Sequence, residues 1–583
     1  MTRILNKSNR ISKAIFLSVF LAFATLPSCT GDFENINTSP HGIPPEQQDV
    51  MQTFYTPMES LLGRYHVAYY QRAYSLNSDM YSGYMAITDN YGICNSHYVM
   101  NEGWNEYILR DYLTYIATPV NTILKATEEL DLRSIAKILR VIGAHRVADN
   151  YGPMPYTEFG KGGSSVAYDD VETLYKTFLQ ELKESVDDLT DFVDNNPTLA
   201  ATKRMAKFDL VNQGDTKAWI LIANSLRLRL AMRISKVSPT LAKTEAEAAV
   251  SHKYGVLTAS DPDMEVHSDR VTNALSLVVS SYNATRMEAS IISILKGYND
   301  PRLPKYSTGV GMQGIGQTNW YADSWVGRKG IVDADGNPVD GTGRVGEYIG
   351  VRNGIEAQHN GDLYDMYSAP NYNATNRNNS SIEGRPNYLS NGRSIIKVAE
   401  VFFLRAEGAL RGWNMGGTPK ELYEAGIKQS FDTYAIPDTE YQAYINNDSC
   451  VCADYEDPQH PEYNIAGIDK ETVKWDESLD NERKLHKIIN QKWLAVFPDG
   501  MEGWNDVRRT GYPKIFPVYS NLSPVPAPTG AKFIKRVTFY EKDKTTLNVE
   551  EVKKAIDKMG GSDNIWTRLW WDVNEDNVDG GNF

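Results

Sequence analysis

The sequence predicts a mainly α-helical protein built from helical hairpins, with a long irregular, loop-rich insertion and minor β-hairpins. Three observations predict it. In the stretch 481–517, Leu485, Ile488, Ile489, Trp493, Val496 and Phe497 recur at steps of three and four, along one side of a helix. Pro498 and Gly500 break that helix; Asp499 with Glu502 then reads as a capping box for a shorter helix, which Gly511 and Pro513 stop. Helices joined so closely must fold back on each other, so Trp504 and Val507 are expected against Trp493 and Phe497. The rhythm returns elsewhere without a strict repeat of about 34 residues, and each hairpin needs neighbours to cover its other side. Between these hairpins, residues 77–104 and 300–394 carry no helical period.

At the N-terminus, Arg3, Lys7, Arg10 and Lys13 precede an apolar run over 14–26 that is too short to span a bilayer, which predicts an export signal. Leu26-Pro27-Ser28-Cys29 resembles a lipobox, predicting cleavage after residue 28 and acylation of Cys29, with the acyl chains holding the protein to a membrane. An ordinary secretory peptide with an incidental cysteine is the alternative. Residues 29–45 are polar and turn-rich, a tether, and 46–583 are expected to form one domain.

The helices follow in order. A first is expected over 45–71, carrying Met51, Phe54, Met58, Leu61, Leu62 and Tyr65. Segments 107–130 and 132–150 pair next, the second with Ile135, Ile138, Leu139 and Ile142 inside and ended by Gly152, Pro153 and Pro155. Over 171–193, Leu174, Phe178, Leu182 and Leu189 face inward from an acidic exterior, and over 218–235 the core residues are Trp219, Ala223, Leu226 and Leu230. Arg227, Arg229 and Arg233 on that helix are expected to pair with carboxylates of neighbouring helices rather than to bind an anion. The last pair spans 395–413, with Ala399, Phe402, Phe403, Ala406 and Leu410, and 419–434.

Composition bounds the function. The chain has 583 residues, 41% hydrophobic, enough for a large core, and its net charge of −14 argues against nucleic acid or an anionic membrane surface as partner. Its 35 Tyr and 11 Trp suit sugar faces and protein interfaces, and equally helical cores. The four cysteines make no disulfide framework, and Cys450-Val-Cys452 has no second Cys/His pair at zinc spacing, so neither metal nor cofactor is expected. Gly309, Gly311 and Gly314 match a dinucleotide pattern with Asp333 beyond, but no apolar strand precedes them and no helix follows. Residues 333–338 resemble the start of a calcium loop without its closing glutamate and read as a hairpin turn; Asp572, Asn574 and Asp576 share the defect. There is no nucleophile elbow, zinc helix or P-loop.

The two irregular stretches carry the candidate site. Asp79, Tyr91, Asn101 and Trp104 come from the first, and Trp320, Trp325, Arg352 and Tyr367 from the second. Rings can stack on the C–H face of a sugar while carboxylates, amides and guanidinium groups hold its hydroxyls. Packing of these rings under their own loops is the competing reading.

Several separated runs resemble the SusD/RagB family of outer-membrane nutrient-binding lipoproteins. They include Lys492-Trp493-Leu494-Ala495-Val496-Phe497, Glu502-Gly503-Trp504-Asn505-Asp506-Val507-Arg508-Arg509, Asp149-Asn150-Tyr151-Gly152-Pro153, Lys217-Ala218-Trp219, Asp300-Pro301-Arg302-Leu303-Pro304 and Trp570-Trp571-Asp572. The resemblance implies a tetratricopeptide-like helical scaffold, a lipoprotein in the outer membrane facing the cell exterior, and no enzyme activity. It also implies capture of an oligosaccharide or polysaccharide for delivery to a TonB-dependent, SusC-like porin. In the starch-binding member the sugar lies on an aromatic arc from an early loop and a mid-chain segment, for which Tyr91, Trp104, Trp320 and Trp325 are the analogues here. A peptide ligand and a surface glycoside hydrolase, whose carboxylate pair would be spatial rather than sequential, are the alternatives.

Overall fold

Side-chain oxygens that accept from first-turn N–H groups fix several of the longer helix starts. The computed structural model describes residues 49–61, 63, 67–88, 91–163, 165–267, 274–282, 285–310, 347–355, 366–371, 393–560, 562–574 and 583. The chain divides into Met1–Asp49, of which Asp49 alone is described, and Val50–Phe583, which holds every element below.

Helices of eight residues or more are α1 (Thr118–Ala126), α2 (Leu130–Tyr151), α3 (Val171–Asn195), α4 (Thr216–Arg233), α5 (Pro239–Ser251), α6 (Ala289–Gly297), α7 (Val398–Leu410), α8 (Pro419–Thr433), α9 (Asp438–Ile445), α10 (Asn481–Val496), α11 (Gly500–Thr510) and α12 (Val549–Lys558). Asp170, Asp215 and Asp480 cap α3, α4 and α10, and Thr418 with Glu421 makes a full capping box on α8. Packing runs α2 on α3, α3 on α4 and α4 on α5, then α4 on α7, which also meets α8 and α10, and α10 turns back as α11. This is a mainly helical hairpin stack. None of its helices, among the described residues, is long and apolar enough to cross a membrane.

Strand is confined to two antiparallel ribbons. In one, β1 (Met85–Ile87) pairs with β3 (Thr285–Met287), placing Met85 opposite Met287. In the other, β2 (Met264–Val266) pairs with β4 (Arg393–Ile396), with a register shift after Met264. The described parts of the irregular insertion are joined beside the first ribbon by a parallel bridge between Glu288 and Val351, and to each other by an antiparallel one between Ser307 and Pro370.

Several boundaries differ from the sequence reading. The single helix expected over 45–71 is a 3-10 turn (Val50–Phe54) and a short α-helix (Tyr55–Ser60). Gly63 then takes φ +82°, where a Cβ would meet the Tyr70 ring at 3.1 Å, before helix resumes at Val67–Tyr70. The helix expected over 107–130 is Tyr107–Tyr112, a wide turn at Leu113–Ala117, and α1. The helix expected from 395 begins at 398, because Arg393–Ile396 is claimed by the ribbon with β2.

At the α10–α11 hairpin a third party intrudes. The Tyr84 ring lies 4.7 Å from Trp493 and 5.4 Å from Phe497, and its hydroxyl donates to the Trp493 carbonyl. Trp504 packs beside Tyr81 at 5.2 Å, so residues of the 77–104 stretch wedge the hairpin. Gly503 leaves room for this, since a Cβ there would sit 2.7 Å from the Tyr84 ring. The capping box is half formed: Asp499 accepts from the Glu502 N–H at 3.5 Å, while the Glu502 carboxylate takes Arg233 at 2.6 Å. The arginines of α4 pair as the sequence suggested, Arg227 with Glu245, Arg229 with Glu400 at 2.6 Å, and Arg233 with both Asp149 at 3.0 Å and Glu502.

Candidate functional site

The first irregular stretch is organised by one amide. Asn95 is fully buried; its Nδ2 donates to the Leu76 carbonyl and to Asn77 Oδ1, both at 2.9 Å, and its Oδ1 accepts from the Asn101 N–H at 2.8 Å. Asn101 in turn caps the short helix Glu102–Asn105 through Gly103 N–H at 3.0 Å, and that helix carries Trp104. The Tyr91 ring stands edge-on to Trp104, centroids 5.1 Å apart at 71°, and its hydroxyl is 3.5 Å from Gln71 Oε1. Tyr91 is exposed and Trp104 half-buried, so a fixed pair of rings meets solvent.

A second group gathers around Arg352, which is buried. Its Nη1 donates to the Tyr463 carbonyl at 3.2 Å and its Nη2 to the Pro517 carbonyl at 3.5 Å, and its guanidinium lies 5.2 Å from the Tyr519 ring centre. Tyr519 is held edge-on by Tyr463 at 4.8 Å and by its N–H to the Asn353 carbonyl at 2.8 Å. Tyr367 lies buried nearby in sequence, donating to Asp457 Oδ2 at 3.0 Å, an oxygen that Tyr455 shares at 2.9 Å.

A small cleft is lined by Asn95, Ser96 and Tyr98 of the first stretch together with Glu288, Asn353 and Val518. Glu288 caps α6 through Ser290 N–H at 2.5 Å, and burial raises its carboxyl to about 7 against the opposing hydrogen bonds from Ser290. The chain 517–522 crosses this face, joined to Asn353 by Tyr519 and to the first stretch by the Leu522 N–H on the His97 carbonyl at 2.9 Å.

The structure thus brings Tyr91, Asn101 and Trp104 together and sets Arg352 and Tyr367 in aromatic surroundings. Asp79 stands apart in the core: it accepts from the Tyr70 hydroxyl at 2.7 Å, and burial raises its carboxyl to about 6. Trp320, Trp325 and Cys29 lie outside the described residues, as do the 311–314 part of the glycine pattern, Asp333, the 333–338 turn and Asp576. Asp572 is buried and pairs with Arg568 at 2.9 Å. Sequence reasoning passed over Tyr463, Tyr519 and Glu288. The proline-rich, aperiodic run after Gly511 was the available pointer to Tyr519; Glu288 had none, because a glutamate before an apolar helix is an ordinary cap.

The family model for SusD and RagB outer membrane lipoproteins matches residues 35–572. Among solved structures, the chain is similar to a chitin-binding SusD homologue from Flavobacterium johnsoniae, with 36% identity, TM-score 0.77, and coverage of 91% of this chain and 100% of that one. It is also similar to SusD homologues from Bacteroides vulgatus (30% identity, TM-score 0.75, 91% and 98% coverage) and Bacteroides thetaiotaomicron (28%, 0.75, 91% and 100%). No curated protein matches the chain.

Proposed function

Because the chain belongs to the SusD-like family of outer membrane lipoproteins, we propose that it captures glycan at the cell surface and passes it, without chemistry, to a SusC-like TonB-dependent porin. Acyl chains on Cys29 would moor it to the outer membrane, facing outward. The ligand we propose is an oligomer of N-acetylglucosamine, supported by the likeness to a chitin-binding homologue over nearly the whole chain.

The observation that carries the reading is the Tyr91–Trp104 pair. Two rings at 5.1 Å, Trp104 on a short helix braced through Asn95 and Asn101 and Tyr91 set edge-on to it, present apolar area to solvent. A sugar binding there would not have to order the rings first, which lowers the entropic cost of association. Asn101 and main-chain groups around it offer polar partners for hydroxyls and acetamido groups. Trp320 and Trp325 remain proposed members of the same aromatic surface.

Titration calorimetry with chito-oligosaccharides tests this. We expect measurable binding by the native protein and a loss of about tenfold or more on Trp104→Ala, in line with removal of an aromatic anchor. Undiminished affinity in that variant would remove the site, and release of smaller sugars during the titration would point to a hydrolase instead. Co-purification of a TonB-dependent porin from native membranes tests the delivery step.

A further inference from the structure

We propose that Tyr519 is a second sugar-stacking platform, which extends the Tyr91–Trp104 surface so that the protein holds a chain of several sugar units; the proposal rests on the glycan-binding reading above. Tyr519 is 42% exposed, the most exposed aromatic ring among the described residues. An exposed ring on an irregular segment would ordinarily be free to swing. This one is clamped three ways: by the edge of Tyr463, by the guanidinium of Arg352, and by its own N–H on the Asn353 carbonyl. Its ordering has been met by the fold while its surface stays in water, the condition under which a sugar C–H face gains most from stacking.

Arg352 supports the ring. It is 9% exposed, its two hydrogen bonds run to main-chain carbonyls at 3.2 and 3.5 Å, and its Nε finds no partner among the described residues. The guanidinium is itself buried, so its part in the platform is to hold the ring in place.

Placement links the platform to the first pair. Leu522 lies three positions after Tyr519, about 10 Å of extended chain at most. Leu522 is hydrogen-bonded to His97, within the same stretch as Tyr91 and Trp104. Asn353, whose carbonyl holds the Tyr519 N–H, and Tyr98, next to His97, line one small cleft.

The test is calorimetry of the acylated protein in detergent with N-acetylglucosamine oligomers from dimer to hexamer, comparing native protein, Tyr519→Ala, Tyr519→Phe and Trp104→Ala. We expect Tyr519→Ala to weaken the hexamer about tenfold while leaving the dimer within about twofold, and Tyr519→Phe to match the native protein. Trp104→Ala should weaken both lengths. Native hexamer affinity in Tyr519→Ala alongside weakening in Trp104→Ala would overturn the second platform and leave the glycan reading standing. Equal loss at both lengths in Tyr519→Ala, or loss in Tyr519→Phe, would also overturn it. No binding of any oligomer by the native protein would remove both.

Discussion

Glu288 caps α6 from inside the wall of the cleft, and its burial has a consequence for stability. Its carboxyl titrates at about 7 in the folded protein against an ordinary 4.5, so the folded state favours the protonated form. The group therefore contributes stability that is complete below about pH 4.5 and is lost as pH rises to about 7, a swing of up to about 3 kcal/mol. Glu288→Gln keeps an oxygen for the Ser290 N–H and removes the titration. Thermal unfolding at pH 5 and pH 8 should show the variant gaining on the native protein at the higher pH; parallel curves would contradict the assignment. The same scale shows what could be read in advance. Residue type alone points to Tyr91, Asn101 and Trp104, and the fold puts Asn101 and Trp104 in one hydrogen-bonded turn with the Tyr91 ring edge-on to Trp104. It points equally to Asp79, yet that carboxylate faces Tyr70 in the core, since residue type does not say which way a side chain points.

At the scale of elements, α2, α4, α7, α10 and α11 are joined by charge as much as by apolar packing. Asp149, Arg233, Glu502, Arg229 and Glu400 are all buried and linked, and Lys492 with Asp506 and Arg509 with Glu407 extend the chain of pairs at 2.6 Å each. Burial alone would raise the Glu502 carboxyl, but Arg233 and Arg229 hold it well below the ordinary range. Removing one partner leaves charges buried without compensation, so Arg233→Met should cost about 3–5 kcal/mol, read as a lower denaturation midpoint with an unchanged slope. A loss under about 1 kcal/mol would mean that water reaches the network. The pairing of α4 with neighbouring carboxylates was legible from its arginine spacing, but the partners were not. Asp149 and Glu502 lie far from Arg233 in sequence, and only the stacking order of the helices brings them to it. The broken start of the chain was likewise invisible, because apolar steps over 45–71 continue past Gly63 while its backbone does not.

For the whole molecule, the proposed role requires anchoring as well as binding. Cys29→Ser should leave the protein unacylated, so that it fractionates away from the outer membrane while Trp104-dependent glycan binding persists; membrane retention without lipid labelling would defeat the anchor. The sequence by itself determined the helical-hairpin class, the family and most helix spans, because apolar period and capping chemistry act over a few residues and need no partner. The tertiary structure alone decided that Tyr84 wedges the last hairpin, that Asn95 braces the turn carrying Trp104, and that Tyr519 is clamped over Arg352. The first and last join segments distant in sequence, and the second depends on Asn95 being tied back to Leu76 and Asn77; such contacts are chosen by packing, which no local pattern encodes.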